Sequence, residues 1–353
     1  MNTMNRDILR LLDANMNRAV EGIRILEETA RMLLNDSRIT SEIKEIRHSL
    51  TAIARQEKML GNRMLLARDS EHDVFRNGET DSERDRTDVL AIIRANAGRA
   101  QEAVRALEEY VKLVYPNLSV QFKLIRFRLY DAEKALAALL QAHTLTSRER
   151  LGVYVIIDYE RYPEMNISEL TGVIAGAGAG TVVYRDKISS DRDFMKNAEM
   201  MASVCRKSGV SSIMNDRLDI ALILEADGVL VGSRDAPVES CRKLSGCGFV
   251  TGFSLHHCAD SDYVLSNGAD YLLTKPVTFH SGDSGSIANI KNMVSRFTAP
   301  VVALCGNAPE KCGEIFECGA AGIGYMPEYP AGLREIEKVI GILRKQLIER
   351  GER

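Results

Sequence analysis

The sequence lacks any apolar run near the ~20 residues that a membrane-spanning helix needs, and its start, MNTMNRDILRLLDANMNR, has no apolar core of the kind a secretory leader carries. No membrane association is expected. It also lacks an excess of charge. Lys and Arg total 46, Asp and Glu 49, and the net charge is −3. General nucleic-acid binding, which needs clustered cations to displace counterions, is therefore disfavoured. The seven cysteines form no C-x-x-C pair and all lie from Cys205 onward. Their odd number and spacing give neither a disulfide framework nor a four-ligand zinc site, so reduced, mostly buried thiols in a cytoplasmic protein are expected. Glycine is scarce in one half only: of 26 glycines, just Gly22, Gly61, Gly78 and Gly98 precede Leu151. At 353 residues, two domains of different character are expected, 1–146 and 147–353.

The first half is helical and repeats itself. Leu12, Met16, Ala19, Ile23, Leu26, Ala30 and Leu33 recur at helical spacing. ANMNRAVEGIRILEE (Ala14 to Glu28) aligns with ANAGRAQEAVRALEE (Ala95 to Glu109), 81 residues further on. The pairs Asn15/Asn96, Arg18/Arg99, Ala19/Ala100, Glu21/Glu102, Arg24/Arg105, Leu26/Leu107, Glu27/Glu108 and Glu28/Glu109 are identical, and Lys44-x-x-Arg47 is echoed by Lys123-x-x-Arg126. A duplicated helix–loop–helix unit implies an α-bundle in which each copy buries the other's apolar stripe. The shared polar residues have two readings, ion pairs that support packing or an anion or partner site where the repeats meet. A structural or dimerising role, giving a homodimer, is the expectation for this half.

Beyond Arg150 the pattern changes to short apolar runs separated by amphipathic stretches. The candidate strands are Val153–Ile157, Thr181–Tyr184, Ser212–Met214, Gly228–Val231, Phe249–Gly252, Tyr271–Leu273, Val301–Leu304 and Gly322–Tyr325. Helices between them include Arg192–Ser208, Leu218–Glu225 and Ala308–Cys318. Strand–helix alternation predicts a parallel sheet, and eight units in about 200 residues predict an α/β fold of the (β/α)8 TIM-barrel class behind an all-α bundle. Chemistry in such a barrel sits at the carboxyl ends of the strands. There the sequence reads Arg185-Asp186-Lys187, Asn215-Asp216-Arg217, Gly232-Ser233-Arg234-Asp235 and Ser254-Leu255-His256, then Thr274-Lys275-Pro276, Cys305-Gly306-Asn307 and Met326-Pro327-Glu328. Arg185 and Lys187, two apart on extended chain, suit phosphate oxygens. Asp216 and Asp235, from neighbouring strand ends, suit Mg2+ that bridges a diphosphate. The plainer alternatives are that Asp216 caps the helix at Leu218 and that Arg185 pairs with Asp158 or Asp186.

At these residues the second half resembles thiamine phosphate synthase. Tyr184-Arg185-Asp186-Lys187 stands for the family's Q-L-R-x-K stretch, and Asn215-Asp216-Arg217 is followed by Ala226-Asp227-Gly228-Val229. Gly232-Ser233-Arg234-Asp235 stands for G-Q-x-D, Gly252-Phe253-Ser254-Leu255-His256 for G-x-S-x-H, and Gly268-Ala269-Asp270-Tyr271 leads into strand six. The first half resembles the helical extension of longer family members. The resemblance implies a transferase that joins an aminopyrimidine methyl diphosphate to a thiazole phosphate, with thiamine phosphate and diphosphate as products. Arg185, Lys187 and Asn215 are its expected catalytic residues, Asp216 and Asp235 the Mg2+ ligands, and Ser254, His256, Lys275, Ser281 and Gly306 the substrate-binding residues. Departures lie in the second-phosphate region: Val183 replaces the glutamine, Asp283 stands near an expected lysine, Cys305 replaces a glycine, and Glu328 follows strand eight. Two alternatives follow from these departures, a non-catalytic or regulatory phosphate-binding barrel and a thiazole tautomerase-like enzyme.

Overall fold

The computed structural model describes residues 3–56, 60–69, 86–245, 248–255, 269–277, 287–305, 309–328 and 331–351. The chain divides into two compact units, Met1–Leu140 and Gln141–Arg353.

In the first unit α1 (Thr3–Glu28), α2 (Ser37–Gln56), α3 (Leu60–Ala67), α4 (Val89–Tyr110) and α5 (Ser119–Leu145) surround one core. The last of these helices runs past the division. Leu12, Met16, Ala19, Ile23, Leu26 and Ala30 are buried as their spacing predicts. Leu33 is not. A π turn at Thr29–Leu33 shifts the helical phase and brings Leu34 inward instead. The helices start where short polar side chains satisfy free N–H groups: Asp36 accepts from Ile39 N at 2.7 Å, and Asp88 from Ala91 N at 2.7 Å.

The duplication is visible in the bonding. Arg47 Nε donates to Glu27 at 2.7 Å, and Arg126 Nε to Glu108 at 2.9 Å. Arg24 pairs with Glu28 at 3.1 Å, and Arg105 with Glu109 at 2.9 Å. The helices α1 and α4 cross where Gly22 stands. A Cβ there would lie 2.7 Å from the carbonyl oxygen of Asn96, so no larger residue permits this approach.

The second unit is a closed, all-parallel barrel in the order β1 to β8: Val153–Asp158, Thr181–Arg185, Ser211–Asn215, Gly228–Gly232, Val250–Ser254, Tyr271–Leu273, Val301–Leu304 and Gly322–Tyr325. β8 returns to β1, with Val153 opposite Ile323. All eight expected strands are present, with ends shifted by at most two residues. Both faces of each strand are covered, which is why they read as continuous apolar runs rather than alternating ones. Tyr154, Ile156, Val183, Ile213, Leu230 and Leu273 fill one cluster, while Val155, Ile157, Val182, Tyr184 and Met214 pack with the surrounding helices. In the first cluster the Tyr154 and Tyr271 hydroxyls share a 2.8 Å hydrogen bond, and Gly252 leaves room for the Tyr271 ring. Each phenol titrates above its ordinary range, chiefly because burial disfavours the phenolate.

Helices alternate with the strands, for example Ile167–Gly176, capped by Asn166, and Asp191–Ser208, which ends at Gly209 in the left-handed region (φ 67°). Among the described residues no helix is long and apolar enough to cross a membrane. One expectation needs correcting. Cys305 and Cys312 form a disulfide rather than remaining separate thiols, with their Cα atoms 6.5 Å apart. Cys205 and Cys241 are free and buried.

Candidate active site

Parallel strands all deliver their last residues to one rim. Asp158, Arg185, Asn215, Gly232 and Ser254 end β1 to β5 in turn. The rim's first feature is a carboxylate pair. Asp216 follows β3 with φ 64°, a left-handed backbone that costs a non-glycine residue about 1–2 kcal/mol. The conformation is held by its own N–H, which donates to Leu230 O at 2.9 Å. Asp216 does not cap the following helix. That helix begins with Arg217 at the cap position and no side-chain bond to it. The carboxyl group instead sits beside Asp235, and the Asp216 pKa rises to about 6. Burial is the largest cause, and the neighbouring Asp235 adds hydrogen-bonding and charge effects in the same direction. Lys187 opposes them from 3.3 Å. Asp235 is fixed by Gly232 N, which donates to its Oδ2 at 2.7 Å.

The second feature is a cationic cluster. Arg185 donates to Asp158 at 2.6 Å and lies 3.7 Å from Glu160. Asp158 is buried and also meets Arg161 at 3.3 Å. Arg161 in turn reaches within 4.0 Å of Glu328, after β8. A cation from the β1 loop thus stands beside an acid that looked out of place in the sequence. Asp186 is structural. Its Oδ1 accepts from the N–H groups of Ile188 and Ser189, each at 3.0 Å, and its Oδ2 from Tyr184 Oη at 3.0 Å.

The expected residues divide three ways. Lys187, Asp216 and Asp235 come together in contact. Arg185, Asn215 and Ser254 end neighbouring strands on the same rim, and the exposed Lys275 follows β6 there. His256, Ser281 and Gly306 lie outside the described residues, as does Asp283. Sequence reading named Asp158 only as a bland partner for Arg185 and missed Glu160 and Arg161. The available signal was their acid–base alternation directly after the first strand.

A closed parallel barrel with an acid pair and several cations at its carboxyl rim defines a (β/α)8-barrel enzyme. Comparison with known proteins narrows the class. Residues 153–328 match the family model described as thiamine monophosphate synthase, and residues 10–135 match the ThiD2 family. A thiamine-phosphate synthase of Synechocystis sp. is 31% identical over 320 residues, which is 90% of each chain. One from Gloeobacter violaceus is 34% identical over 271 residues, 76% of this chain and 75% of that one. The solved thiamine phosphate pyrophosphorylase of Pyrococcus furiosus covers 57% of this chain and 98% of its own, with a TM-score of 0.50 and 25% identity. The chain belongs to the thiamine-phosphate synthase family, transferases of thiamine biosynthesis.

Proposed function

We propose that the barrel joins an aminopyrimidine methyl diphosphate to a thiazole phosphate. The methylene C–O bond breaks with its electron pair leaving on diphosphate, and the thiazole nitrogen lone pair forms the new C–N bond. The observation that carries this reading is the meeting of Asp216, Asp235 and Lys187 at adjacent strand ends. Two partly buried carboxylates at adjacent strand ends, of which Asp216 has its proton affinity raised by burial and by its neighbour, form a donor set suited to a hard divalent cation. Mg2+ commonly takes one or two protein carboxylates and completes its shell with phosphate and water. Asp216 and Asp235 would hold it, although among the described residues there is no larger cluster of three or more His, Cys, Asp or Glu side chains. When bound, it would neutralise charge on the leaving diphosphate.

This chain's own residues supply the rest. Lys187 places an ammonium beside the acid pair, where diphosphate oxygens gain charge as the bond breaks. Arg185 is fixed by Asp158, so its remaining guanidinium N–H groups are preorganised for a phosphate oxygen. Asn215 offers an amide between the two groups, and Ser254 a hydroxyl for the pyrimidine end. Lys275 supplies positive charge on the thiazole-phosphate side. The same reading assigns 1–146 to the helical part and 147–353 to the catalytic barrel, with a cytoplasmic location and a homodimer formed through the helical part. Incubation with both substrates and Mg2+ should yield thiamine phosphate and diphosphate in equal amounts. Substrate binding without product would refute the proposal, as would undiminished turnover in Asp216→Ala.

A further inference from the structure

The two helical repeats match on the inside and differ on the outside. Their second helices, α2 and α5, align through Lys44/Lys123 and Arg47/Arg126. Toward the core, Ile43/Phe122, Ile46/Ile125 and Leu50/Leu129 are apolar and buried in both. On the outer side, Ser41, Glu45, His48 and Thr51 of α2 are replaced on α5 by Val120, Leu124, Phe127 and Tyr130. All four replacements are exposed. They recur at steps of four, three and three residues, so they form one stripe. A single exposed apolar residue needs no explanation, but a contiguous stripe marks an interaction surface. A helix that is apolar all round is a buried one, and the core of the helical unit accounts only for the inner side of α5.

The aromatic part of the stripe is fixed in advance. The Phe127 and Tyr130 rings meet edge to face with their centroids 6.0 Å apart. The Arg126 guanidinium lies 5.1 Å from the Phe127 centroid and donates to Tyr130 Oη at 3.1 Å, while Glu108 holds Arg126. The first repeat keeps the equivalent Glu27–Arg47 pair but has Thr51 in place of Tyr130. Aromatic side chains already held in place lose little freedom when they dock.

We propose that the outer face of α5 is a dimer interface, occupied by the same face of a second copy of this chain packed antiparallel to it. This interface presupposes the homodimer assigned above to the helical part, and it locates the contact. The charges beside the stripe select this occupant. Lys123 and Asp131 are exposed, bond to no other described residue, and stand four positions before and four after Phe127. A second copy turned about a twofold axis at Phe127 sets each Lys123 against the partner's Asp131. The same rotation sets Leu124 against the partner's Tyr130, and Val120 against the aliphatic stem of the partner's Lys134. A parallel copy would instead oppose like charges at both positions, which is repulsive.

The test is sedimentation equilibrium of the full chain over about 1–100 μM. The wild type should form a dimer that dissociates on dilution. Leu124→Glu, which puts a charge into the stripe, should weaken dimerisation by about tenfold or more, with helical content unchanged by circular dichroism. Lys123→Asp and Asp131→Lys should each weaken it in the same way, because like charges then face each other across the axis. The double variant that carries both changes should recover the dimer. Only an antiparallel neighbour can produce that recovery, since the two positions are about 12 Å apart within one helix. A dimer that persists in Leu124→Glu overturns the α5 interface and leaves the homodimer itself standing. A wild type that stays monomeric throughout overturns both. Single charge variants without effect, or a double variant without recovery, overturn the antiparallel pairing. If Leu124→Glu loses helical content, the charge series alone decides.

Discussion

Binding of Mg2+ should expel a proton from Asp216, and the amount is fixed by the environment of that carboxyl group. Its pKa of about 6 reflects burial first and the Asp235 carboxyl second. A ligated carboxylate must be ionised, so metal and proton compete for it. With half-protonation at about 6, roughly 0.9 of Asp216 is ionised at pH ~7 and roughly 0.1 at pH ~5, so apparent Mg2+ affinity should fall about tenfold between them. Calorimetry in two buffers of different ionisation enthalpy should register about half a proton released per metal at pH ~6, and about a tenth at pH ~7. Asp216→Asn should abolish the release. Asp235→Asn should move its midpoint down toward the ordinary carboxylate range. A metal-free counterpart follows by linkage. The folded protein holds this proton more tightly than the unfolded chain does, so stability falls as pH rises from the usual carboxylate range through about 6. Melting temperatures of the metal-free protein, compared with Asp216→Asn across that window, should show the difference. Metal affinity that is flat from pH ~5 to ~7, with no proton released, would refute the reasoning.

Asp158→Asn should release Arg185 from its 2.6 Å partner and lower kcat/KM by about tenfold or more, with the larger share in KM for the diphosphate substrate. Unchanged kinetics would remove Asp158 from the positioning of Arg185. Glu108→Ala should destabilise the helical unit by about 3 kcal/mol in denaturant titration, because Glu108 is buried and holds both Arg105 and Arg126. Arg24→Ala, which breaks an exposed pair, should cost less than about 0.5 kcal/mol. Gly22→Val should cost about 1–3 kcal/mol by forcing α1 and α4 apart at their crossing, and thermal unfolding would measure it.

The barrel was legible because its signal is local. A strand buried on both faces must be apolar throughout, and its last residues must be polar if they reach the rim, so Val153 to Tyr325 read as eight units without knowledge of their neighbours. The duplication was legible for a similar reason: Glu27 and Glu108 keep the same partners in both copies. What stayed hidden depends on contacts that sequence distance conceals. Arg161 meets Glu328 only because β8 closes against β1. Asp216 looked equally suited to capping a helix or joining Asp235, and its left-handed backbone settles that choice. The Cys305–Cys312 disulfide was missed because their spacing matches no familiar motif.

The pairing of Val153 with Ile323 has a consequence in time. β1 cannot acquire its second neighbour until the final strand has been made. The helices of Met1–Leu140 contain all the partners their own core requires, so they can fold as soon as they are synthesised. At about 5–20 residues per second, the barrel must wait roughly 10–40 s longer, holding the apolar edges of an unclosed sheet. Those edges are the surfaces through which such a sheet aggregates. During that interval the newborn chain carries a finished helical half and an open, adhesive one, so a chaperone that shields β1 would have its main effect before β8 emerges.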